Sequence, residues 1–473
     1  MSDSELKICC MGAGYIGTTT MSVLAQQCPN IQVTIIDQNA SKIEAWNSSD
    51  LPIYEPGLQG VVEDCRGKNL FFSTDEATAI QQADIIFMAV NAPTKTGGTG
   101  AGYATDIVHC ERCARTIAKY ATSSKIVVEK GTFPVRTAEA IARVLDCGSA
   151  EGIQHSVLSN PEFLAQGTAI ADILNPSRVL IGGTYNQKAM DTLVDIYAKW
   201  VPRDRILITS SWQSSELAKL VANAFLAQRV SSINSISALC EATGADVTEI
   251  SRAVGMDERI GAKFLHASVG FGKPRFRKDI LSLIYLCQSY GLKECAEYWN
   301  HVLAINEFQR KRFAEKIVSK MFSTVTGKKI AMLGYAFKKD TGDVRETPSM
   351  YILHDLIQEE ARVHVYDPKV KRNDMMAELN ATCGVNADNT PNLDQVVITS
   401  TDPYEACEGA HALLILTDWD QFKDYDYEKV YKLMTKPAFL FDGCNLLDHD
   451  LLRKYGFDVH GVGRPDPAEF NDL

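Results

Sequence analysis

The sequence predicts an α/β protein with two Rossmann-like, doubly wound domains joined by a long central helix. Three observations predict this class. Residues 6–37 alternate between strand, glycine-rich turn, helix and strand. A similar succession of short apolar runs begins again near residue 328, and residues 214–243 between them contain neither proline nor glycine. The predicted domains are residues 1–210, 211–325 and 326–473.

The composition limits the kind of function. The 473-residue chain is 45% hydrophobic and 23% charged, which is typical of a globular protein, and its net charge of −11 argues against nucleic-acid or membrane-surface binding. No segment reaches the 18 uninterrupted apolar residues of a membrane span, and the start, MSDSELKICC, does not resemble a signal peptide, so we expect a cytoplasmic protein. The 13 cysteines show no metal-ligand spacing, and we predict no metal site.

The first strand, helix and second strand are predicted at residues 6–11, 18–27 and 31–37, with GAGYIG in the first turn. Gly12 permits a tight turn, Gly14 lets the backbone approach a pyrophosphate, and Gly17 lets helix and strand pack closely. Asp37 lies twenty residues beyond Gly17, at the end of the second strand. A carboxylate there binds ribose hydroxyls and repels a 2′-phosphate, so the sequence predicts NAD rather than NADP.

Further strands are predicted at 84–90, 125–129, 156–159, 178–182 and 205–209, which would continue the parallel sheet to about residue 210. The helix 214–243 is apolar on more than one face, which predicts a helix that joins two lobes or forms a subunit interface. In the last domain, strands are predicted at 329–333, 362–366, 412–416 and 438–441. This domain lacks the full glycine pattern and should bind something other than a whole dinucleotide.

A few polar residues could carry chemistry. Glu162 closely follows a predicted strand, at the edge where doubly wound sheets bind ligands. Lys219 and Asn223 are four residues apart and share a helix face, where Lys219 could be catalytic or could form a structural salt bridge. Asp279 could accept a proton or neutralise nearby cations.

The segment 268–279, SVGFGKPRFRKD, is predicted to be a loop. Its two glycines would let the backbone close on a ligand. Its four cations, Lys273, Arg275, Arg277 and Lys278, indicate either an anion nearby or an ordinary solvated surface.

Several motifs together closely resemble the animal UDP-glucose 6-dehydrogenases: GAGYIG, LPIYEPGL, VNAPTKT, SNPEFLAQGTA, the long helix, VGFG with a following KD, and GYAFKKDTGDVRET. The resemblance covers nearly the whole chain. It implies oxidation of UDP-glucose by two NAD molecules to UDP-glucuronate, in dimers or larger oligomers. It also implies that residues 1–210 bind NAD, that 211–325 form a dimerisation domain with the substrate loop 268–279, and that 326–473 bind the UDP-sugar.

The resemblance also implies roles for individual residues. The catalytic set is Glu162, Lys219, Asn223, Asp279 and Thr132, the last within EKGTFPV. The cofactor set is Gly12, Gly14, Tyr15, Ile16, Gly17, Asp37, Thr132 and Arg345. The substrate set is Phe163, Leu164, Lys219, Asn223, Phe271, Gly272, Phe337 and Lys338, with Arg259 reaching substrate from a neighbouring subunit.

The chain departs from the family pattern in the loop. The family reads FGGSCFQKD where this chain reads FGKPRFRKD, so Arg275 occupies the position of the catalytic cysteine. The second oxidation needs a thiolate, and a guanidinium is not a nucleophile. Cys444 stands where the family has an arginine, in DGCN. Either Cys444 supplies a relocated thiol, or both positions have lost their constraint.

We therefore expect a family member that binds NAD and a UDP-sugar, UDP-glucose or a related one, but cannot complete the double oxidation. It should form homo-oligomers, dimers or hexamers, or assemble with an active paralogue. The alternative is a working nucleotide-sugar dehydrogenase that stops at the aldehyde or uses another nucleophile. A scaffold that has also lost the cofactor is disfavoured by the intact turn and Asp37.

Overall fold

The structure, a computed structural model, describes residues 6–183, 186–272, 274–383, 397–399 and 401–465. The chain divides into two compact units. The first comprises Met1–Ala222 and Leu281–Gly291, and the second comprises Asn223–Ile280 and Leu292–Leu473. Of the three boundaries along the chain, those at 222/223 and 280/281 fall inside helices, and each unit contains one sheet among the described residues.

Eight strands and eight helices of the described chain precede the long helix. The strands are β1 Lys7–Met11, β2 Gln32–Ile36, β3 Leu70–Ser73, β4 Ile85–Met88, β5 Ile126–Glu129, β6 Ser156–Ser159, β7 Val179–Gly182 and β8 Ile206–Thr209. The helices are α1 Tyr15–Gln27, α2 Ala40–Asn47, α3 Leu58–Cys65, α4 Glu76–Gln82, α5 Val108–Tyr120, α6 Thr137–Gly148, α7 Ala169–Leu174 and α8 Gln187–Tyr197.

The first sheet has the order β3-β2-β1-β4-β5-β6-β7-β8, and its first six strands are parallel. This arrangement confirms the predicted doubly wound fold. The prediction that the parallel sheet continues to residue 210 is wrong for the last two strands, because β7 pairs antiparallel to β6 and β8 runs parallel to β7. An apolar run indicates that a strand is buried but carries no information on its direction.

Both faces of this sheet are covered by helices, which explains why its strands are continuous apolar runs. Adjacent residues of β1 face opposite sides. Cys9 belongs to a buried cluster with Ile117 of α5, whereas Cys10 belongs to one with Met21 of α1. The cysteines in β1 therefore serve as small core residues.

The second unit is built on a six-stranded parallel sheet of order β11-β10-β9-β12-β13-β14. Its strands are β9 Lys329–Leu333, β10 Arg362–Tyr366, β11 Val397–Thr399, β12 Ala412–Ile415, β13 Phe439–Asp442 and β14 Asp458–Gly461. The four predicted strands are confirmed, and β11 and β14 were not predicted. The order repeats that of the first six strands, so the second Rossmann-like sheet is also confirmed.

The remaining helices complete the described chain. They are α9 Trp212–Thr243, α10 Val247–Gly255, α11 Pro274–Ser289, α12 Lys293–Lys320, α13 Pro348–Gln358, α14 Arg372–Cys383, α15 Pro403–Cys407, α16 Tyr427–Leu433 and α17 His449–Tyr455. The predicted long helix is confirmed as α9. Within the described residues, no helix is long and apolar enough to cross a membrane.

The prediction of a loop over 268–279 is wrong in its second half, because α11 begins at Pro274. Proline suits the first turn of a helix, where its missing N–H costs no hydrogen bond. Arg275 therefore lies in the first turn of a helix. Lys273 lies outside the described residues.

Candidate functional site

The glycine turn between β1 and α1 fits a bound dinucleotide. Gly12 has a φ of 111°, and a Cβ there would lie 2.7 Å from the carbonyl oxygen of Ala89. A Cβ on Gly17 would lie 2.3 Å from the carbonyl oxygen of Gly12. Gly14 is different, because a Cβ there would meet no protein atom within 4 Å. Two of the glycines are thus required by the fold, and the third faces open space at the N-terminus of α1.

Asp37 lies beside this turn. Its carboxylate accepts hydrogen bonds from Ala13 N–H at 3.0 Å, Asn39 N–H at 3.0 Å and Lys42 Nζ at 2.9 Å. Burial acts to raise the pKa of Asp37, but these hydrogen bonds, Lys42's first, hold it below its usual value. A cavity of about 230 Å³ adjoins Gly12, Gly14 and Asp37. The ionised carboxylate is suited to accept hydrogen bonds from the hydroxyls of a ribose.

The next two predicted cofactor residues open α1, and one of them has an unpredicted partner. Tyr15 and Ile16 are the first residues of the helix. The Tyr15 hydroxyl donates a 2.7 Å hydrogen bond to Glu55, which is buried. Glu55 lies within the LPIYEPGL motif, but no feature of that motif indicated a contact with the start of α1.

Thr132 follows β5, in the segment that leads to α6. Its hydroxyl oxygen is buried and has no hydrogen-bond partner among the described residues. The hydroxyl can therefore form a hydrogen bond with a bound ligand. Two buried glutamates lie near this segment. One precedes Thr132 in the chain, and the other bonds to the start of α6. Glu129 ends β5, and Glu216 of α9 accepts hydrogen bonds from the backbone N–H groups of Arg136 and Ala138, both at 2.7 Å, at the start of α6. Neither glutamate was predicted.

These two carboxyls are electrostatically linked. Burial raises the pKa of Glu129 well above its usual range, and the charge of Glu216 raises it further. Burial also raises the pKa of Glu216 to about 7, although the N–H groups of Ala138 and Arg136 act to lower it. Near neutral pH the two glutamates together therefore retain a proton. Both of them lie in the same unit as Thr132.

Glu162 and Lys219 meet within the first unit. Their side chains are 1% and 4% exposed, and Lys219 Nζ lies 3.9 Å from Glu162 Oε1. Lys219 Nζ also lies 5.2 Å from the ring centroid of Phe163, and the guanidinium of Arg178 is 3.8 Å from the same centroid. The N–H of Leu164 donates to Glu162 at 2.7 Å. A buried carboxylate and ammonium at this separation can exchange protons with a ligand between or beside them.

Asn223 and Asp279 meet within the second unit. Asn223 Nδ2 donates a 2.6 Å hydrogen bond to Asp279 Oδ2, and both side chains are buried. Asn223 lies on α9 and Asp279 lies on α11.

The predicted substrate loop is anchored by α12, a helix that was not predicted from the sequence. Asn306 accepts from Phe271 N–H at 2.8 Å and donates to the Phe271 carbonyl at 3.1 Å. A Cβ on Gly272 would lie 2.7 Å from Cβ of Phe337, so glycine is required for this approach. Phe271, Gly272 and Phe337 are therefore brought together, and Lys338 is the next residue in the chain.

One cation of the predicted loop, Arg277, is held by ion pairs. Arg277 lies 3.2 Å from Glu307 and 3.8 Å from Glu346, so it belongs to an ion-pair network with α12. Arg275 and Asp279 are four residues apart on α11, which places them on one face of that helix.

Three further predicted or suspected residues lie in the second unit. Arg259 is 89% exposed and pairs with Asp257 at 2.6 Å, and Arg345 pairs with Asp343 at 2.6 Å. Cys444 is 7% exposed. Burial raises the pKa of the Cys444 thiol well above its usual value, and the nearby Asp418 and Asp442 raise it further.

Comparisons with known proteins agree with this arrangement. Residues 6–201 match the NAD binding domain of the UDP-glucose/GDP-mannose dehydrogenase family, residues 213–308 its central domain, and residues 331–449 its UDP binding domain. UDP-glucose 6-dehydrogenase of Gallus gallus is 56% identical over 468 residues, covering 98% of this chain and 94% of that protein. UDP-glucose 6-dehydrogenase 3 of Oryza sativa subsp. japonica is 54% identical over 478 residues, covering 99% of each.

Solved structures show the same fold. A UDP-glucose dehydrogenase from the hyperthermophilic archaeon Pyrobaculum islandicum superposes with a TM-score of 0.83 at 28% identity, covering 98% of this chain and 99% of that one. Two Rossmann-like sheets with a dinucleotide turn define an NAD-binding protein with a UDP binding domain. The chain belongs to the UDP-glucose/GDP-mannose dehydrogenase family, and its animal relatives are UDP-glucose 6-dehydrogenases.

Proposed function

We propose that this chain binds NAD and a UDP-sugar, UDP-glucose or a related one, but cannot complete the oxidation to UDP-glucuronate. NAD, when bound, accepts hydride from the sugar. Gly12, Gly14, Gly17 and Asp37 would hold it, and the open space at Gly14 is the feature that a pyrophosphate would fill. Tyr15, Ile16, Thr132 and Arg345 are proposed to contact the same cofactor.

The proposed substrate residues include both buried pairs. Glu162 and Lys219 are suited to hold and move the proton that leaves the sugar hydroxyl, since both are shielded from water. Asn223 and Asp279 would orient a ligand hydroxyl through their shared hydrogen bond. Phe163, Leu164, Phe271, Gly272, Phe337 and Lys338 are proposed to line the sugar nucleotide, and Arg259 to reach it from a neighbouring subunit.

The position of Arg275 is the observation that carries the proposal. It lies one turn before Asp279 on α11, where the family resemblance puts the cysteine nucleophile. A thiolate there would add to the intermediate aldehyde, and the adduct would lose hydride to the bound cofactor and leave a thioester for water to cleave. A guanidinium stays protonated and has no lone pair to donate.

The test is NADH formation from purified protein with UDP-glucose and NAD. The unaltered chain is compared with a variant carrying Lys273→Gly, Pro274→Ser and Arg275→Cys. The matched control carries the same first two changes with Arg275→Ala, which removes the bulk without adding a thiol. Turnover to UDP-glucuronate by the cysteine variant alone would support the proposal. UDP-glucuronate from the unaltered chain would refute it.

A second candidate function is oxidation that stops at the aldehyde. The buried Glu162 and Lys219 pair favours it, because the first hydride transfer needs no thiol. An accumulating UDP-linked aldehyde, trapped with hydroxylamine and identified by mass spectrometry, would support this function. The version in which Cys444 acts as the nucleophile is disfavoured, because that thiol is buried and its raised pKa opposes thiolate formation.

Oligomer formation is proposed on the basis of exposed apolar side chains in the second unit. Phe225, Ile236 and Leu239 of α9 are 54%, 37% and 58% exposed, and Met256 after α10 is 79% exposed. We propose a cytoplasmic homo-oligomer, a dimer or hexamer, that can also assemble with an active paralogue. Co-purification of the two chains from cells would support mixed assembly, and strictly separate assemblies would exclude it.

A further inference from the structure

A buried glutamate joins two segments of the first unit that are distant in sequence. Glu55 is 5% exposed and lies just before α3. Its Oε2 accepts the Tyr15 hydroxyl at 2.7 Å and the Gly167 N–H at 2.9 Å, and its Oε1 accepts the Ala169 N–H at 2.7 Å. Three donors around one buried carboxylate offset the cost of removing it from water.

One of the joined segments is the glycine turn. Tyr15 is the first residue of α1, directly after Gly14. Its hydroxyl is held by Glu55, so its ring has a fixed direction relative to the open space at Gly14.

The other segment runs from Glu162 to the start of α7. Within it, Leu164 N–H donates to Glu162 at 2.7 Å, and Ala165 N–H donates to Asp172 at 3.0 Å. Glu55 binds the far end of this segment through Gly167 and Ala169. A shift of the Glu55 carboxylate would therefore disturb the backbone that carries Glu162.

We propose that Glu55 is a positioning residue that couples cofactor binding at Tyr15 to the geometry of the Glu162 segment. The inference rests on the proposed function, in which the cofactor occupies the glycine turn. If Glu55 served only to cap the N-terminus of α7, the bonds from Gly167 and Ala169 would suffice. The third bond, from Tyr15, is the one that makes Glu55 a link between the two segments.

The first test is a double-mutant cycle on NADH affinity, measured by fluorescence titration of the full chain. Tyr15→Phe and Glu55→Ala are each expected to weaken binding about tenfold, since each breaks a hydrogen bond to a charged group. The double variant should bind no more weakly than Glu55→Ala. Glu55→Gln, which keeps one acceptor oxygen, should fall between wild type and Glu55→Ala. Glu63→Gln, at an exposed position on α3, should bind like wild type.

The second test follows hydrogen exchange of residues 163–169 at saturating NADH for each variant. NADH should slow exchange there in wild type and in Glu63→Gln, but not in Glu55→Ala. If Glu55→Ala fails to fold, Tyr15→Phe gives the same test, because it removes only the hydroxyl. Additive losses in affinity, or equal protection of 163–169 in all variants, would overturn the coupling while leaving the proposed function intact. Absence of NADH binding by the unaltered chain would overturn both.

Discussion

Asn223 of α9 and Asp279 of α11 are joined by a 2.6 Å hydrogen bond although 56 residues separate them in the chain. The donor is an amide and the acceptor a buried carboxylate, so the bond is of the strong, charge-assisted kind. Asp279 lies one helical turn after Arg275 on α11. The position at which we propose that the nucleophile is missing is therefore one helical turn from a buried polar pair.

Replacing Asn223 by alanine should lower the free energy of unfolding by about 1–3 kcal/mol, because the buried carboxylate of Asp279 loses a donor. The measurement is urea denaturation followed by circular dichroism. Ser232→Ala, at an exposed position on the same helix, is the control and should change stability by less than about 0.5 kcal/mol. Equal losses in the two variants would show that the Asn223 bond contributes little.

Two glycines of the cofactor turn should respond differently to alanine. Gly17→Ala should destabilise the protein, because its Cβ would lie 2.3 Å from the Gly12 carbonyl oxygen. Gly14→Ala should fold with a melting temperature near that of wild type but bind NADH at least about tenfold more weakly, because its Cβ points into free space that a pyrophosphate would need. Thermal unfolding and NADH titration of both variants separate the two effects. Tight NADH binding by Gly14→Ala would place the cofactor elsewhere.

Stability should fall as pH rises from about 4.5 towards 7. The pKa of Glu216 is raised from 4.5 to about 7 in the folded state, so over this range the folded chain holds a proton that the unfolded chain has lost. The contribution is complete below the unfolded pKa and is lost as pH passes the folded one. The slope is at most about 1.4 kcal/mol per pH unit.

Glu216→Gln isolates this contribution. Its unfolding free energy, measured by denaturation between pH 5 and 8, should vary less with pH than that of wild type. Glu151→Gln, at an exposed position in the same unit, should leave the pH dependence unchanged. Parallel curves for wild type and Glu216→Gln would show that Glu216 titrates normally.

The exposed apolar face of α9 should hold copies of the chain together. Phe225→Asp with Leu239→Asp should shift the mass measured by light scattering to that of a smaller species, since buried unpaired charges oppose association. Tyr54→Asp, which changes a similarly exposed aromatic residue in the first unit, should leave the mass unchanged. A monomeric wild type, or an unaltered mass in the double variant, would remove the basis for proposing this interface.

The sequence predicted the two sheets, the long helix and the glycine turn, because each depends on local periodicity or on a short motif. It did not predict the reversal of β7, since an apolar run is the same in either direction. It also missed the start of α11, although Pro274 at the first helical position was the available signal.

Contacts distant in sequence set a further limit. Glu162, Lys219, Asn223 and Asp279 were each identified, but which of them pair depends on the fold. Glu55 accepts N–H groups more than a hundred residues away, and Asn306 binds the backbone of Phe271 from another helix. Neither interaction leaves a periodic trace in the sequence, because each is set by tertiary structure alone.

Asn306 binds Phe271 through its peptide N–H and C=O, groups that every residue type except proline would also provide. The backbone path into α11 therefore does not depend on which side chains follow Phe271. Under the proposed function, a nucleophile could therefore be lost from this segment without disturbing the fold around it. The same arrangement makes this segment a convenient place to install new reactive groups by design.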